Sequence, residues 1–236
     1  VVNYFLDYIA KTYLDTLKLS DFTYIEAMAF MDHVVAEKNV KPRTYNNYKQ
    51  YMTSIWSELI ERSYINENPW SRVKKKKVTE KNRKMISDQD AQIILEEIHN
   101  TNQYLYLSIL LLYYCFIRPG EQRRMKVHMI DLKNGTIYIP GEISKNKRSE
   151  TVTIPRAILP IFHKIGIDTW HQNDYIFGQY MKPHPTIPCG TNTLNFSHKA
   201  VIQRLFRMKK LRSIDGISIY SWKDTGAMHF IKSGID

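Results

Sequence analysis

Residues 104–121 read YLYLSILLLYYCFIRPGE, and this stretch decides what kind of fold the chain can have. Tyr104 to Phe116 is apolar on nearly every face, the pattern of a helix buried all round rather than on one side. It is too short to cross a bilayer, and its tyrosines and Ser108 interrupt it, so it reads as a buried helix of a folded domain. Pro119 suits the first position of a further short helix. Arg118 therefore stands at the junction between a buried helix and a turn. An arginine pinned there by the scaffold can offer its planar fork to a phosphate, with Glu121 three residues on to orient it. The plainer alternative is a helix-end salt bridge between Arg118 and Glu121.

Toward the C-terminus a β signal follows. Asn134-Gly135 is a strong hairpin cue joining Met129–Leu132 to Thr136–Ile139, and the β-branched Thr151–Ile154 reads as a third strand. Lys145, in Ile143-Ser144-Lys145-Asn146-Lys147-Arg148, falls in the turn between the second and third strands. A hairpin can push such an ammonium into a DNA groove, with Lys147 and Arg148 beside it; the alternative is a solvated basic turn. Helical patterns then cover Arg156–Ile165, Thr191–Lys209 and Ser221–Ser233. Tyr220 and Lys223 lie together at the start of the last helix, where backbone N–H groups favour a phosphate. The alternative there is a capped helix with Trp222 in the core.

Toward the N-terminus, Ser87 with Asp90 fits the start of a helix running to about His99. Before it, Arg72 to Lys84 is the sharpest composition change, with Arg72, Lys74, Lys75, Lys76, Lys77, Lys81, Arg83 and Lys84 opposed only by Glu80. It has no apolar period and reads as a linker, either simply solvated or in contact with phosphates. Residues 1–71 form a separate helical part. Tyr4, Phe5, Tyr8, Ile9, Tyr13 and Leu17 recur at helical spacing, and Thr23 with Glu26 fits a capping box. Pro42 opens a run to Tyr64 with Tyr48, Tyr51, Ile55 and Leu59 on one stripe, and a short fourth helix ends near Pro69-Trp70. The expected fold is mainly α with a small antiparallel sheet, with domains at 1–71 and 85–236 and a basic linker at 72–84.

The 236 residues suffice for a real core without metal or disulfide staples. The formal charge of +11 makes a polyanion the first partner to consider, and 43% hydrophobic residues argue against a disordered basic tail. Two cysteines, Cys115 and Cys189, exclude a disulfide-dense scaffold or a Cys-rich zinc module, and they read as reduced thiols in a cytosol. Phosphate-loop, dinucleotide and HExxH motifs are missing, so nucleotide hydrolysis, dinucleotide redox and zinc proteolysis lose their usual signals. The eight histidines show no metal-ligand spacing.

Arg118 with Glu121, Lys145 on a hairpin, and Tyr220-Ser221-Trp222-Lys223-Asp224-Thr225, in this order over nearly the whole chain, resemble the tyrosine recombinase (phage integrase) family. That family has an Arg with an acidic residue three positions on, a hairpin Lys, His-x-x-Arg, then a His or Trp, then a nucleophilic Tyr. Ala227 and Gly234 also fit the helix that follows. Lys41-Pro42-Arg43-Thr44-Tyr45-Asn46-Asn47-Tyr48-Lys49 looks like part of its core-binding domain, with Arg43 and Lys49 as phosphate contacts or else a solvated face. The resemblance implies a site-specific recombinase of a mobile element, acting on duplex DNA through a 3′-phosphotyrosyl link. It implies catalytic roles for Arg118, Lys145, Tyr220 and Lys223, and DNA contacts from Arg43, Lys49, Lys74, Lys75, Lys76, Lys77, Lys147 and Arg148. It also implies no metal or other cofactor, self-association into a tetrameric synapse, no membrane, and a cytoplasmic, nucleoid-associated place in a bacterium.

Tyr220 stands where the family has His, Lys223 where it has Arg, and Asp224 where a second His is common. Lysine keeps the charge and loses the fork. The family's nucleophilic tyrosine is expected beyond Asp236. Two rivals share these residues: a DNA-binding relative without catalysis, and a type IB topoisomerase.

Overall fold

In the computed structural model the chain divides into two compact units, Val1–Glu80 and Lys81–Asp236. The structure describes residues 1–14, 16–79 and 84–234. Residues 80–83 of the basic run, with Lys81 and Arg83, lie outside the described residues.

The first unit packs α1 (Val2–Tyr13), α2 (Tyr24–Lys38) and α3 (Pro42–Glu61) around aromatic side chains. Thr23 caps α2 as its sequence suggests: its hydroxyl accepts from the Ile25 N–H at 3.2 Å, and Glu26 accepts from the Thr23 N–H at 2.8 Å. Phe5, Phe22, Phe30, Trp56 and Trp70 meet mostly edge to face, with Phe5 5.0 Å from Phe30 and 5.5 Å from Trp56. Three expectations need correction. The buried face of α3 is Tyr45, Met52 and Trp56, whereas Tyr51 points outward. The helix also stops at Glu61, because Ser63 turns left-handed (φ 59°) and the Tyr64 N–H closes the end on the Leu59 carbonyl at 2.9 Å. The fourth helix expected to end near Pro69-Trp70 does not form: residues 62–68 are not helical, and a single 3-10 turn, Pro69–Arg72, begins there with Trp70 wholly buried.

The second unit is built on α4 (Asp88–Thr101) and α5 (Gln103–Tyr114), followed by the one-turn α6 (Pro119–Gln122). Helix α5 is buried nearly all round, with Leu105, Leu107, Ile109, Leu111 and Leu112 fully buried. Strands β1 (Ile130–Asp131), β2 (Thr136–Ile139) and β3 (Glu150–Thr153) form an antiparallel sheet in that order, with Ile130 opposite Ile137 and Ile137 opposite Val152. Gly135 (φ 64°) makes the first turn, and the Asp131 carboxylate accepts from the Asn134 N–H at 2.9 Å. Helices α7 (Leu159–Lys164), α8 (Thr193–Arg207) and α9 (Ser221–Lys232) complete it. Helix α7 starts later than its apolar pattern suggests, since Pro160 fits only in a first turn. The result is the expected mainly helical fold with a small antiparallel sheet.

Helices α5 and α9 approach unusually closely. A Cβ on Gly226 would stand 2.2 Å from the Tyr113 carbonyl oxygen, so this position admits only hydrogen. Among the described residues no helix is long and apolar enough to cross a membrane.

Candidate active site

Helix α5 ends at Tyr114, and Phe116 takes a left-handed conformation (φ 56°) that turns the chain into Arg118, the N-cap of α6. The fully buried Gln122 fixes this corner. Its carboxamide accepts from the Ser108 hydroxyl at 2.5 Å and donates to the carbonyls of Ser108 at 2.9 Å and Ile117 at 2.8 Å. Arg118 keeps 29% of its side chain exposed, while Glu121 keeps only 7%.

Glu121 is the centre of the corner. One carboxylate oxygen accepts from the Arg118 guanidinium at 2.9 Å and from the Lys145 backbone N–H at 3.0 Å; the other accepts from the Arg118 N–H at 2.8 Å. Burial alone would raise the Glu121 pKa, but these three donors outweigh it and hold it below the usual carboxylate value. The salt bridge posed as the plainer alternative therefore exists, and the same carboxylate also ties the hairpin turn to Arg118. That turn, residues 140–149, leaves the side chains of Lys145, Lys147 and Arg148 exposed.

Lys223 reaches the same corner from the first turn of α9. Its ammonium donates to the Phe116 carbonyl at 3.2 Å and lies 5.6 Å from the centre of the Phe116 ring. Burial, and then the nearby Arg118 charge, lower its pKa from the ordinary lysine value. Tyr220 is the half-buried residue immediately before α9. Thr225 anchors the helix by accepting from the Ile86 N–H at 3.1 Å. The structure thus brings Arg118, Glu121, Lys223 and the Lys145 backbone to one corner.

Trp222 is wholly buried, and its indole N–H donates to Nε2 of the equally buried His198 at 2.9 Å, which puts the His198 proton on Nδ1. Burial pushes the His198 pKa from 6.5 down to about 4. The unfolded chain takes up this proton as pH falls below 6.5, while the folded one refuses it until about 4. Stability from His198 is therefore complete above 6.5 and is lost across that window, by roughly 3 kcal/mol. Urea unfolding at pH 7 and pH 4.5 should show a smaller acid loss in His198→Gln than in the unmodified protein. Equal losses would mean that His198 is not held neutral.

The cations of the first unit form a separate feature. Arg43 is exposed in the first turn of α3, Lys49 is half-buried farther along it, and Lys74 to Lys77 are exposed. The run expected as a linker is partly pinned. Asn46 on α3 donates to the Lys76 carbonyl at 2.9 Å and accepts from the Lys76 N–H at 2.8 Å, while the Lys76 ammonium lies 4.4 Å over the Tyr45 ring. Arg72 stacks on Tyr24 at 4.9 Å. Sequence reasoning missed Asn46, Gln122, His198 and Gly226, whose partners are distant in sequence or set by backbone approach. Among the described residues no cluster of His, Cys, Asp or Glu could hold a metal ion.

Comparison with known proteins agrees with this fold. A protein of Pseudomonas phage Pf1 named as an integrase is 29% identical over 134 residues, which are 54% of this chain and 38% of that protein. The chain thus spans well under half the length of that relative. Among solved structures, the Tn1549 transposon integrase in complex with transposon right end DNA matches with a TM-score of 0.75 at 11% identity, over 100% of this chain and 81% of that one. A lambda integrase tetramer bound to a Holliday junction matches with a TM-score of 0.66 at 16% identity, over 98% and 67% of the two chains. At such identities these two likenesses show the fold. The model of the phage integrase family matches residues 84–236, well over half of the sequence. By that match, and with the fold in agreement, the chain belongs to the phage integrase family of tyrosine recombinases.

Proposed function

We propose that this chain is the DNA-binding and catalytic part of a site-specific recombinase of a mobile element. The observation that carries the reading is the Glu121 carboxylate, which joins the Arg118 fork to the Lys145 turn beside Lys223. A tyrosine oxygen bonds to the scissile phosphorus and gives up its proton to solvent; the P–O5′ bond breaks, and the Lys145 ammonium supplies the proton that makes the leaving group a 5′-hydroxyl. Arg118 and Lys223 stabilise the extra charge on the phosphorane. Tyr220 stands at the family's histidine place and donates a hydrogen bond to a phosphate oxygen; it is not the nucleophile. The 3′-phosphotyrosyl link stores the bond energy for rejoining, so the chemistry asks for no nucleotide or other cofactor.

Residues 1–71 act as the core-binding domain. Arg43, Lys49 and Lys74 to Lys77, with Lys147 and Arg148 of residues 85–236, contact phosphates of duplex DNA, on which several copies assemble. The reading is supported by the +11 charge and by the pinning of the basic run against α3. If about six of these cations contact phosphates, affinity for duplex DNA falls roughly a thousandfold between about 50 and 200 mM salt. Titration of labelled duplex at several salt concentrations measures this. Salt-independent affinity, or none at low salt, overturns the DNA reading. A second reading, binding without cleavage, is favoured by lysine at 223, whose point charge cannot fork a phosphate. A covalent adduct between DNA and the complete product of the gene, seen on a denaturing gel, decides against it.

A further inference from the structure

We propose that Arg124 is a positioning residue that aims Lys145. The hairpin turn carrying Lys145 runs over residues 140–149 between two four-residue strands, too little sheet to fix its tip. Arg124, just beyond α6, reaches across to it. Its Nε donates to the Gly120 carbonyl at 3.0 Å, its Nη2 to Ile143 at 2.5 Å and its Nη1 to Glu142 at 3.3 Å. One planar guanidinium thus joins the first turn of α6 to two successive carbonyls just before Ser144-Lys145. Glu121 takes the next free N–H of the turn, that of Lys145 itself. The turn is held on one side by a cation and on the other by an anion, both rooted in the corner that carries Arg118.

The geometry asks for arginine. Three N–H groups in one plane serve three carbonyls, and an ammonium cannot span them. Three of its five N–H groups are spent on the protein, so Arg124 acts on the turn that carries Lys145. The inference rests on Lys145 being the general acid, and its test separates the two claims.

The complete product of the gene is assayed for single-turnover cleavage on a duplex that it cuts, made once with the normal 5′-oxygen and once with sulfur in that bridging position. A thiolate departs without a proton, so sulfur removes the need for a general acid. Lys145→Ala should be slow on oxygen and restored on sulfur; no restoration overturns the general-acid reading and this proposal with it. Arg124→Met and Arg124→Lys should lose on the order of tenfold or more on oxygen, part of what a general acid contributes. Both should recover on sulfur, with DNA affinity at fixed salt unchanged. Recovery of Lys145→Ala without recovery of the Arg124 variants overturns the positioning role alone, as does full activity on oxygen. Arg124→Lys keeps the stem and charge and carries the test if the methionine variant fails to fold. In the 236-residue chain, amide exchange over residues 141–149 should quicken in Arg124→Lys, and unchanged exchange counts against the proposal.

Discussion

In the complete product of the gene, Arg118→Lys should slow DNA cleavage by on the order of a hundredfold or more, the range seen when one electrostatic donor to a transition state is lost. Glu121 holds one edge of the guanidinium at 2.9 Å and the Arg118 N–H at 2.8 Å, so backbone and side chain are fixed by the same carboxylate. The remaining edge stays partly exposed and can meet a phosphate with two parallel N–H groups. Lysine would keep the charge and lose the fork. Duplex affinity should barely change, because many other cations supply the non-specific attraction. A single-turnover cleavage rate beside a DNA affinity at one salt concentration reads both. Unchanged cleavage would reduce Arg118 to a helix-end salt bridge.

Gly226→Ala should destabilise the second unit by about 3 kcal/mol or more, at the upper end of what overpacking a core costs. Helix propensity alone says the opposite, since alanine in a helix interior is favoured over glycine by about 1 kcal/mol. The sign decides between them. The added Cβ would meet the Tyr113 carbonyl oxygen at 2.2 Å and the Tyr113 carbonyl carbon at 3.0 Å, both backbone atoms of the buried α5, which cannot swing aside as a side-chain tip would. The midpoint of urea unfolding at constant slope measures the effect. A midpoint that rises would show that the two helices are free to part. Because Lys223 sits one turn before Gly226, any displacement of α9 should also weaken the Lys223 contact with Phe116.

Local chemistry was the legible part of this sequence. The Thr23 and Ser87 caps, the proline starts of α3 and α6, the Asn134-Gly135 turn and the all-apolar α5 each follow from residues within a few positions of one another. The reading went astray where the deciding partner is remote. Tyr51 and Trp56 are both aromatic on α3, and only Phe5, Phe22 and Trp70 reveal which one faces inward. The basic run looked unstructured because nothing near it in sequence shows that Asn46 grips Lys76 from thirty residues away. In the candidate site, the Arg118–Glu121 spacing and the hairpin place of Lys145 were visible as motifs. Their junction was not, since it depends on a backbone N–H of Lys145 that carries no side-chain signature. Nothing near His198 in the sequence shows that Trp222 lies against it.

The three-way grip of Glu121 makes Arg118 and the backbone of the Lys145 turn energetically non-independent. Removing the guanidinium leaves a buried carboxylate short of one donor, and the Lys145 turn must then share that oxygen on different terms. The cost of replacing Arg118 therefore includes a change in the Lys145 turn, whereas replacing the Lys145 side chain leaves its backbone N–H on Glu121. What couples guanidinium and turn is a third residue that holds one by its side chain and the other by its backbone, so the corner behaves thermodynamically as one unit with two hands.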